Sequence, residues 1–197
     1  MKIISIEGAI GVGKSTVLQL LMHLFPVFLE PIDEWRVPLE KFYATEEKND
    51  ASIQLQYKII ETLQMRHESM KSCKKPIVLM ERSLLSSLEV FTKNNSAAFP
   101  HPEWEKVKSF TCKLISEYEQ NDVHYIALNA AFDTILHRAI ARGGPEIVAK
   151  KHYLRSIYDN SLIFEDKCNY IIRCENKSPA DIVNEIIKCI HEINSVE

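Results

Sequence analysis

Residues 8–15 carry the motif that decides the fold, and they read Gly8-Ala9-Ile10-Gly11-Val12-Gly13-Lys14-Ser15. This motif fits the pattern G-x-x-x-x-G-K-[ST] and lies between an apolar run and a helical stretch. Glycines let the backbone turn tightly, so that amide N–H groups and the helix N-terminus can surround phosphate oxygens. In such a loop Lys14 neutralises the β- and γ-phosphates, and the Ser15 hydroxyl ligates Mg²⁺. We therefore predict a nucleoside triphosphate site formed by Gly8, Ala9, Ile10, Gly11, Val12, Gly13, Lys14, Ser15 and Thr16.

Beyond this loop, short apolar runs alternate with amphipathic helical patterns. The apolar runs lie at residues 3–6, 27–29, 77–80, 125–128 and 170–172. The helical patterns lie near residues 13–25, 51–71, 103–120, 131–142 and 179–194. Strand and helix in alternation are typical of a parallel sheet covered on both faces. We predict one α/β domain over residues 1–197, with a five-stranded parallel sheet and loose segments at 44–50 and 94–102.

Three of the predicted strands end at a glutamate, namely Glu7, Glu30 and Glu81. In an open parallel sheet, ligands bind in the crevice at the carboxyl ends of the strands. A strand can also end at a polar residue simply because it reaches solvent there. The motifs around Glu30 and Glu81 favour the ligand crevice for these two residues.

The composition is that of an ordinary globular protein. Of 197 residues, 46% are hydrophobic and 26% charged, and the net charge is −3. No long block of one sign occurs and no stretch is apolar enough to span a bilayer, so neither nucleic acid nor a membrane is an expected partner. The chain begins at once with a strand pattern, so we predict a cytoplasmic protein without a signal peptide. Five scattered cysteines predict reduced core thiols, at Cys73, Cys112, Cys168, Cys174 and Cys189.

The two remaining glycines are adjacent, Gly143-Gly144, and follow a helical stretch that carries Arg138 and Arg142. These arginines are four residues apart and share one helix face. Arginines on a mobile lid stabilise the charge of a transferring phosphoryl group, so we predict a lid at about residues 138–150. The alternative is an exposed helix end, where arginine suits the helix dipole and glycine caps the helix.

Four ordered motifs between residue 2 and about residue 160 resemble those of the deoxynucleoside kinases, the group of deoxycytidine, deoxyguanosine and mitochondrial-type thymidine kinases. The first is SIEGAIGVGKST at residues 5–16. The second, EPIDEW at 30–35, matches the family's E-P-x-x-x-W, and the third, ERSLLS at 81–86, matches its E-R-S-x-x-S. The fourth, LNAAFDTILHRAIARGGPE at 128–146, resembles its helix and arginine lid. The stretch His152-Tyr153-Leu154 falls where the family has Y-L after the lid.

The resemblance implies a catalytic role for several residues. Glu30 resembles the general base that takes the 5′-hydroxyl proton, and Arg82 the residue that holds Glu30 and the reacting oxygens. Glu81 and Ser15 resemble the Mg²⁺ site. An arginine suits this arrangement, because it keeps a carboxylate ionised and aimed at the acceptor. The alternative for Glu30 is a structural strand-end partner of Arg82.

The resemblance also implies a nucleoside cleft. Trp35 and Leu39 would line this cleft, Tyr43 and Glu146 would hold the 3′-hydroxyl, and Phe91, ten residues after Glu81, would stack on the base. The alternative for the three aromatic residues is an ordinary place in the core. The alternative for Glu146 is a solvated surface position.

The family reads the base with a glutamine early in its third helix, and this chain offers two candidates there, Gln54 and Gln56. Counting forward from Tyr43 without a gap favours Gln54, which we take first. The helical face favours Gln56, because it shares a stripe with the apolar residues Ile53, Ile59, Ile60 and Leu63.

Three departures from the family pattern bear on the site. Gly143-Gly144 stands where the family lid commonly has a third arginine, so lid support for the transition state is expected to be weaker or to come from elsewhere. Ser87, six residues after Glu81, stands where some members use an aspartate to read the base. The segment between Trp35 and Leu39 is short, so the rim of the cleft is expected to differ.

The resemblance implies a homodimeric kinase of nucleotide salvage, which transfers a phosphoryl group from Mg·ATP to the 5′-hydroxyl of a deoxynucleoside, with thymidine and deoxycytidine favoured. One alternative is a thymidylate-type nucleotide kinase, which shares the loop and lid but must also bind an acceptor phosphate; the E-P-x-x-x-W motif argues against it. Another is a P-loop protein that binds nucleotide without transferring phosphate. A second, closed pocket lined by Trp35, Tyr43 and Phe91 would argue against that class.

Overall fold

A computed structural model describes residues 1–118, 122–143 and 151–195, and places a five-stranded parallel sheet at their centre. The strand order is β2-β3-β1-β4-β5. The strands are β1 (Lys2–Glu7), β2 (Val27–Phe28), β3 (Ile77–Glu81), β4 (Asp122–Asn129) and β5 (Tyr170–Arg173). The predicted sheet is therefore confirmed, and the carboxyl ends of β1, β2 and β3 lie side by side.

Helices connect these strands. They are α1 (Lys14–Leu21), α2 (Ile32–Ala44), α3 (Lys48–Lys71), α4 (Leu84–Ser86), α5 (Lys93–Ala98), α6 (Trp104–Tyr118), α7 (Phe132–Arg142), α8 (Lys151–Phe164) and α9 (Pro179–Ser195). A π-helical segment, Ser87–Thr92, joins α4 to α5, and a short 3₁₀ turn, Glu165–Lys167, follows α8. None of the helices within the described ranges is long and apolar enough to cross a membrane.

The helical patterns do not predict α2, the segment from α4 to α5, or α8. The signal for α2 is a stripe of Trp35, Leu39 and Phe42 at helical spacing, but Pro38 inside the helix obscures it. The predicted loose segments are wrong in part, because α3 already begins at Lys48 and α5 continues to Ala98. The polar composition of α5 wrongly predicts a loose segment, because its two asparagines are buried and held by tertiary hydrogen bonds.

Two large apolar clusters form most of the core. One packs the sheet against α1 and α9, and the other joins α2, α3 and α6. Residues of both clusters line one cleft at the carboxyl ends of the strands. All five cysteines are free thiols. The prediction of core positions is wrong for Cys112, which is exposed because the opposite face of α6 is the one that packs inward.

Candidate active site

The phosphate loop, residues 8–15, leads from β1 into α1, and close backbone approach explains two of its glycines. At Gly8, where φ is +129°, an added Cβ would lie 2.3 Å from the carbonyl oxygen of Leu128. At Gly11, where φ is +86°, it would lie 2.9 Å from the carbonyl oxygen of Ile135. Residues with a Cβ rarely adopt such φ values. A side chain at either position would therefore strain the loop and push it away from β4 or α7.

Lys14 is buried at the start of α1, and its ammonium group binds the loop itself. Its Nζ donates to the carbonyl oxygens of Gly8 and Ala9, each at 3.2 Å. Burial lowers the pKa of Lys14 to about 8, and the charge of Arg82 acts in the same direction. Phosphate oxygens placed beside this group would favour its charged form, as the predicted role of Lys14 requires.

Ser15 and Glu81 form an oxygen pair next to this lysine. The Ser15 hydroxyl donates to Glu81 Oε1 at 2.7 Å, and the backbone N–H of Glu30 approaches Glu81 Oε2 at 3.4 Å. A hydroxyl and a carboxylate at the mouth of a phosphate loop are the hard ligands that Mg²⁺ takes when it also binds phosphates. The donor set at Ser15 and Glu81 therefore fits the predicted metal.

Glu30 and Arg82 form an ion pair at the ends of β2 and β3. Arg82 Nε donates to Glu30 Oε1 at 2.7 Å. The side chain of Arg82 is only 5% exposed and that of Glu30 only 12% exposed. Burial raises the pKa of the Glu30 carboxyl, but the charges of Arg82, Lys14 and Arg66 outweigh it, so the net pKa lies below the ordinary value. Glu30 is therefore held as an ionised, oriented acceptor of hydrogen bonds.

The third strand-end glutamate has a different position. Glu7 is fully buried and lies outside the cleft lining. Its Oε1 accepts a hydrogen bond from the Ser5 hydroxyl at 2.6 Å and from the Ser83 N–H at 2.9 Å. Glu7 thus ties the end of β1 to the turn after β3, whereas Glu30 and Glu81 face the cleft.

The cleft has a volume of about 820 Å³ and runs from the phosphate loop to α3. At the donor end its wall includes Lys14, Ser15 and Thr16, together with Pro179 and Ile182 of α9. At the acceptor end the wall is mostly aromatic and aliphatic. The predicted residues found there are Trp35, Leu39, Tyr43, Gln56, Ser87 and Phe91.

Two aromatic side chains of the cleft have well-defined partners, and a third is deeply buried. The Trp35 indole donates to Thr62 Oγ1 at 2.5 Å. The Arg82 guanidinium lies over the Phe91 ring, 4.5 Å from its centroid, which is a cation–π contact. Burial raises the pKa of Tyr43 well above its ordinary value, so that its hydroxyl stays protonated. These residues form a rigid apolar wall with one polar tip, the Tyr43 hydroxyl.

The structure corrects the order of preference between the two glutamines. Gln54 lies on the exposed face of α3, and its Oε1 accepts a hydrogen bond from Lys41 at 2.9 Å. Gln56 is 1% exposed, lines the cleft and donates from Nε2 to Ser87 Oγ at 3.0 Å. Counting from Tyr43 favours the glutamine that faces solvent, whereas the apolar stripe of α3 favours the one that lines the cleft.

Sequence reasoning gave no role to Phe42, Asn95 or Tyr153, although all three line the cleft. The Tyr153 hydroxyl donates to Asn95 Oδ1 at 3.0 Å, and its ring packs near Phe42 and Tyr43. A signal exists for Phe42 in the helical stripe of α2. Asn95 carries no such signal, because only the contact between α5 and α8 brings it to the cleft.

Arg138 and Arg142 of α7 both line the cleft, as the lid prediction requires. Arg138 Nη1 donates to the carbonyl oxygen of Val12 at 3.2 Å, which joins α7 to the phosphate loop. Gly143 has φ of +72° and ends α7 in the left-handed conformation. The cap role considered as an alternative is thus present at Gly143 alongside the arginines. Glu146 and the rest of the predicted lid after Gly143, up to residue 150, lie outside the described residues.

Comparisons with known proteins agree with this geometry. The family model described as deoxynucleoside kinase matches residues 4–191. “Putative kinase protein 029R” of Invertebrate iridescent virus 3 is 25% identical over 94% of this chain and 93% of its own length. “Putative kinase protein 143R” of Invertebrate iridescent virus 6 is 37% identical over 47% of this chain and 46% of its own. A structure of deoxyadenosine kinase from M. mycoides with bound dATP superposes with a TM-score of 0.78 at 19% identity, covering 97% of this chain and 100% of that one, and shares the P-loop kinase fold.

Proposed function

Because the chain belongs to the deoxynucleoside kinase family and is an ATP-dependent kinase, we propose that it phosphorylates the 5′-hydroxyl of thymidine and deoxycytidine. The products are the deoxynucleoside 5′-monophosphate and ADP. The observation that carries this proposal is the Glu30–Arg82 ion pair, which lines the same cleft as the phosphate loop and the aromatic side chains Trp35, Tyr43 and Phe91. The carboxylate of Glu30, the guanidinium of Arg82 and the phosphate loop therefore all line one cleft.

The mechanism follows from these positions. Glu30, kept ionised by its cationic neighbours, accepts the proton of the 5′-hydroxyl as that oxygen attacks the γ-phosphorus in line. Lys14, Arg138 and Arg142 stabilise the charge that spreads over the transferring group. Ser15 and Glu81 would hold Mg²⁺, which would neutralise phosphate charge. Positioning and charge neutralisation supply most of the catalysis.

Base recognition rests on Gln56 and Ser87. Gln56 Oε1 is buried without a hydrogen-bond partner among the described residues, so it is available to a ligand. A serine hydroxyl can accept from the amide N–H₂ or donate to the amide oxygen, and Ser87 therefore tolerates both orientations of the Gln56 amide. One orientation pairs with the N3 and O4 edge of thymine, and the other with the N3 and N4 edge of cytosine. The small Ser87 also leaves room for the thymine methyl group, which favours pyrimidines over purines.

A homodimer in the cytoplasm is part of the same proposal. Exposed apolar side chains on α3 and α6, among them Tyr57, Met65 and Phe110, suit contact with a second copy. The free thiols of the five cysteines suit a reducing compartment. Sedimentation of the protein as a monomer at micromolar concentration would contradict the dimer. The proposed unit is one kinase domain over the full 197 residues.

The test measures ADP release from Mg·ATP with each of the four deoxynucleosides and each of their monophosphates, with product identity checked by mass spectrometry. We expect kcat/KM to be largest for thymidine and deoxycytidine. Lys14→Ala serves as the control for contaminating kinase activity, because it lacks the ammonium group that would neutralise the phosphates. Turnover of monophosphates alone would favour the thymidylate-type kinase. A purine deoxynucleoside preferred by about tenfold would overturn only the base assignment.

A further inference from the structure

Arg66 is a buried arginine of α3 that lines no part of the cleft within the described residues, and its bonds all go to backbone. It is 8% exposed. Its Nη1 donates to the carbonyl oxygens of Leu29, at 3.3 Å, and Glu81, at 2.7 Å. Its Nη2 donates to the carbonyl oxygen of Arg82 at 2.5 Å. One guanidinium therefore ties the residue before Glu30 to Glu81, the last residue of β3, and to Arg82, which follows it.

The place of these bonds in the sheet is informative. β2 pairs with β3 only at Val27 with Leu79 and at Phe28 with Met80. The next positions in that register are Leu29 and Glu81, where the strand ladder has already ended. Arg66 bridges these two carbonyl groups, and a carbonyl pair cannot bond to itself because both groups are acceptors. The arginine thus continues the connection between the strands at the level of Glu30 and Arg82.

The backbone conformation of Arg82 is a second reason why this region needs to be held in place. Its φ is +60°, a left-handed conformation that residues with a side chain rarely adopt. Such a conformation persists when its surroundings hold it, and such strain clusters at functional sites. The Arg82 N–H donates to the carbonyl oxygen of Ile6 at 3.1 Å, and the Arg82 carbonyl accepts from Arg66. Arg66 therefore holds one of the two backbone groups that set the direction of the Arg82 side chain.

Burying an arginine is unfavourable unless its donors are bonded, and burial lowers the pKa of Arg66 accordingly. Nη1 and Nη2 are bonded, whereas the buried Nε has no partner among the described residues. If this face of α3 only packed against apolar side chains, a neutral residue at position 66 would be more stable than an arginine. Planar guanidinium geometry, by contrast, suits carbonyl groups that lie side by side, because Nη1 and Nη2 donate in fixed directions from two separate atoms, whereas a lysine has a single nitrogen.

We propose that Arg66 is a positioning residue for the Glu30–Arg82 pair, a role that rests on the proposed kinase function. Arg66 fixes the ends of β2 and β3, so that Glu30, the proposed general base, and Arg82 approach the acceptor oxygen in a single geometry. It does not touch the substrates.

The experiment combines Arg66→Lys and Arg66→Gln with Glu30→Gln in a double-mutant cycle. Arg36→Lys is the matched control, because it makes the same substitution at an exposed arginine of α2. We expect Arg66→Lys to lower kcat by about tenfold or more, with both KM values changed by no more than about threefold. We expect the control to retain the wild-type kcat.

The cycle separates positioning from a general effect on the fold. If Arg66 acts through the pair, the loss of kcat in Glu30→Gln/Arg66→Lys will be smaller than the product of the two single losses by about tenfold. The proposal is overturned if the loss of kcat in the double variant equals the product of the two single losses, or if Arg66→Lys leaves kcat unchanged. It is also overturned if circular dichroism shows that both Arg66 variants are unfolded. A wild-type enzyme inactive on every deoxynucleoside would instead remove the function on which the proposal rests.

Discussion

Glu30 combines burial with ionisation, two properties that oppose each other in a lone carboxyl group. Its side chain is 12% exposed, yet Arg82 lies at 2.7 Å and further cations surround it, so its pKa falls below the ordinary value. The carboxylate is consequently ready to take a proton at neutral pH, and its direction is set by the ion pair. A base of this kind contributes through proton transfer more than through substrate binding.

Glu30→Gln tests this role with almost no change of shape. We expect kcat to fall by about 10²–10⁴-fold, because an amide cannot accept the 5′-hydroxyl proton. The KM for thymidine should change far less. Steady-state kinetics beside Glu34→Gln, an exposed glutamate of α2, provides the comparison. Turnover by Glu30→Gln near the wild-type rate would remove Glu30 from the mechanism.

The two glutamines of α3 provide a matched pair of substitutions. Gln56→Ala removes the amide that faces the cleft, so we expect kcat/KM for thymidine and deoxycytidine to fall by about tenfold or more. Gln54→Ala removes an exposed amide bonded to Lys41, and we expect kcat/KM within about twofold of wild type. Equal losses in the two variants would contradict the assignment of base recognition to Gln56.

At the scale of elements, α7 joins the lid arginines to the donor site. Arg138 reaches the carbonyl oxygen of Val12, while Arg142 lies one turn further along the same wall. Gly143 ends the helix directly after Arg142, and a Cβ added there would meet no other described residue within 4 Å. Both arginines thus project from the last turns of one helix into the cleft.

Arg138→Ala and Arg142→Ala should each lower kcat more than they raise the KM for the deoxynucleoside, because lid charge acts mainly in the transition state. Initial rates over a range of both substrates measure the two constants separately. Arg155→Ala, an exposed arginine of α8, is the control for loss of surface charge. An effect on KM alone would assign the altered arginine to ground-state binding.

The secondary-structure elements also show which site residues could be predicted from the sequence and which could not. Residues whose role depends on local pattern, such as Lys14 in its loop or Glu81 at a strand end, could be predicted because neighbours in the chain define their environment. Gln56 could be predicted only as one of two candidates, from the apolar stripe of α3, and Arg66 could not, since its role depends on the carbonyl groups that meet it in the folded chain. Ser87 opens a π-helical segment, whose altered periodicity a helical pattern does not anticipate.

At the scale of the whole molecule, the chemistry lies where two apolar clusters meet. The cluster of the sheet, α1 and α9 supports the donor end, and the cluster of α2, α3 and α6 supports the acceptor end. A third, smaller cluster beneath β3 includes Tyr118, whose ring meets the edge of His67 at 4.5 Å between centroids. His67 is 6% exposed, and neither of its ring nitrogens has a hydrogen-bond partner among the described residues.

This histidine should make global stability depend on pH. Burial, reinforced by Lys71, lowers the pKa of His67 below 6.5, so the folded protein keeps it neutral where the unfolded chain binds a proton. Its contribution is complete above the unfolded-state pKa and is lost as the pH falls through about 6.5. We expect His67→Phe to show a smaller drop in Tm between about pH 7.5 and about pH 5.5 than wild type. His23→Gln, an exposed histidine, should behave like wild type, and an unchanged drop in His67→Phe would contradict the assignment.

The brevity of β2 has a further consequence, for behaviour in concentrated solution. β2 is the outermost strand on its side of the sheet and is two residues long. A long outer strand offers a row of unsatisfied N–H and C=O groups on which another chain can add a strand, which is a route to aggregation. Two residues offer too short a template for stable strand addition. Because Glu30 follows a short strand, the chain carries the proposed catalytic carboxylate at the margin of the sheet without exposing a long strand edge to other chains.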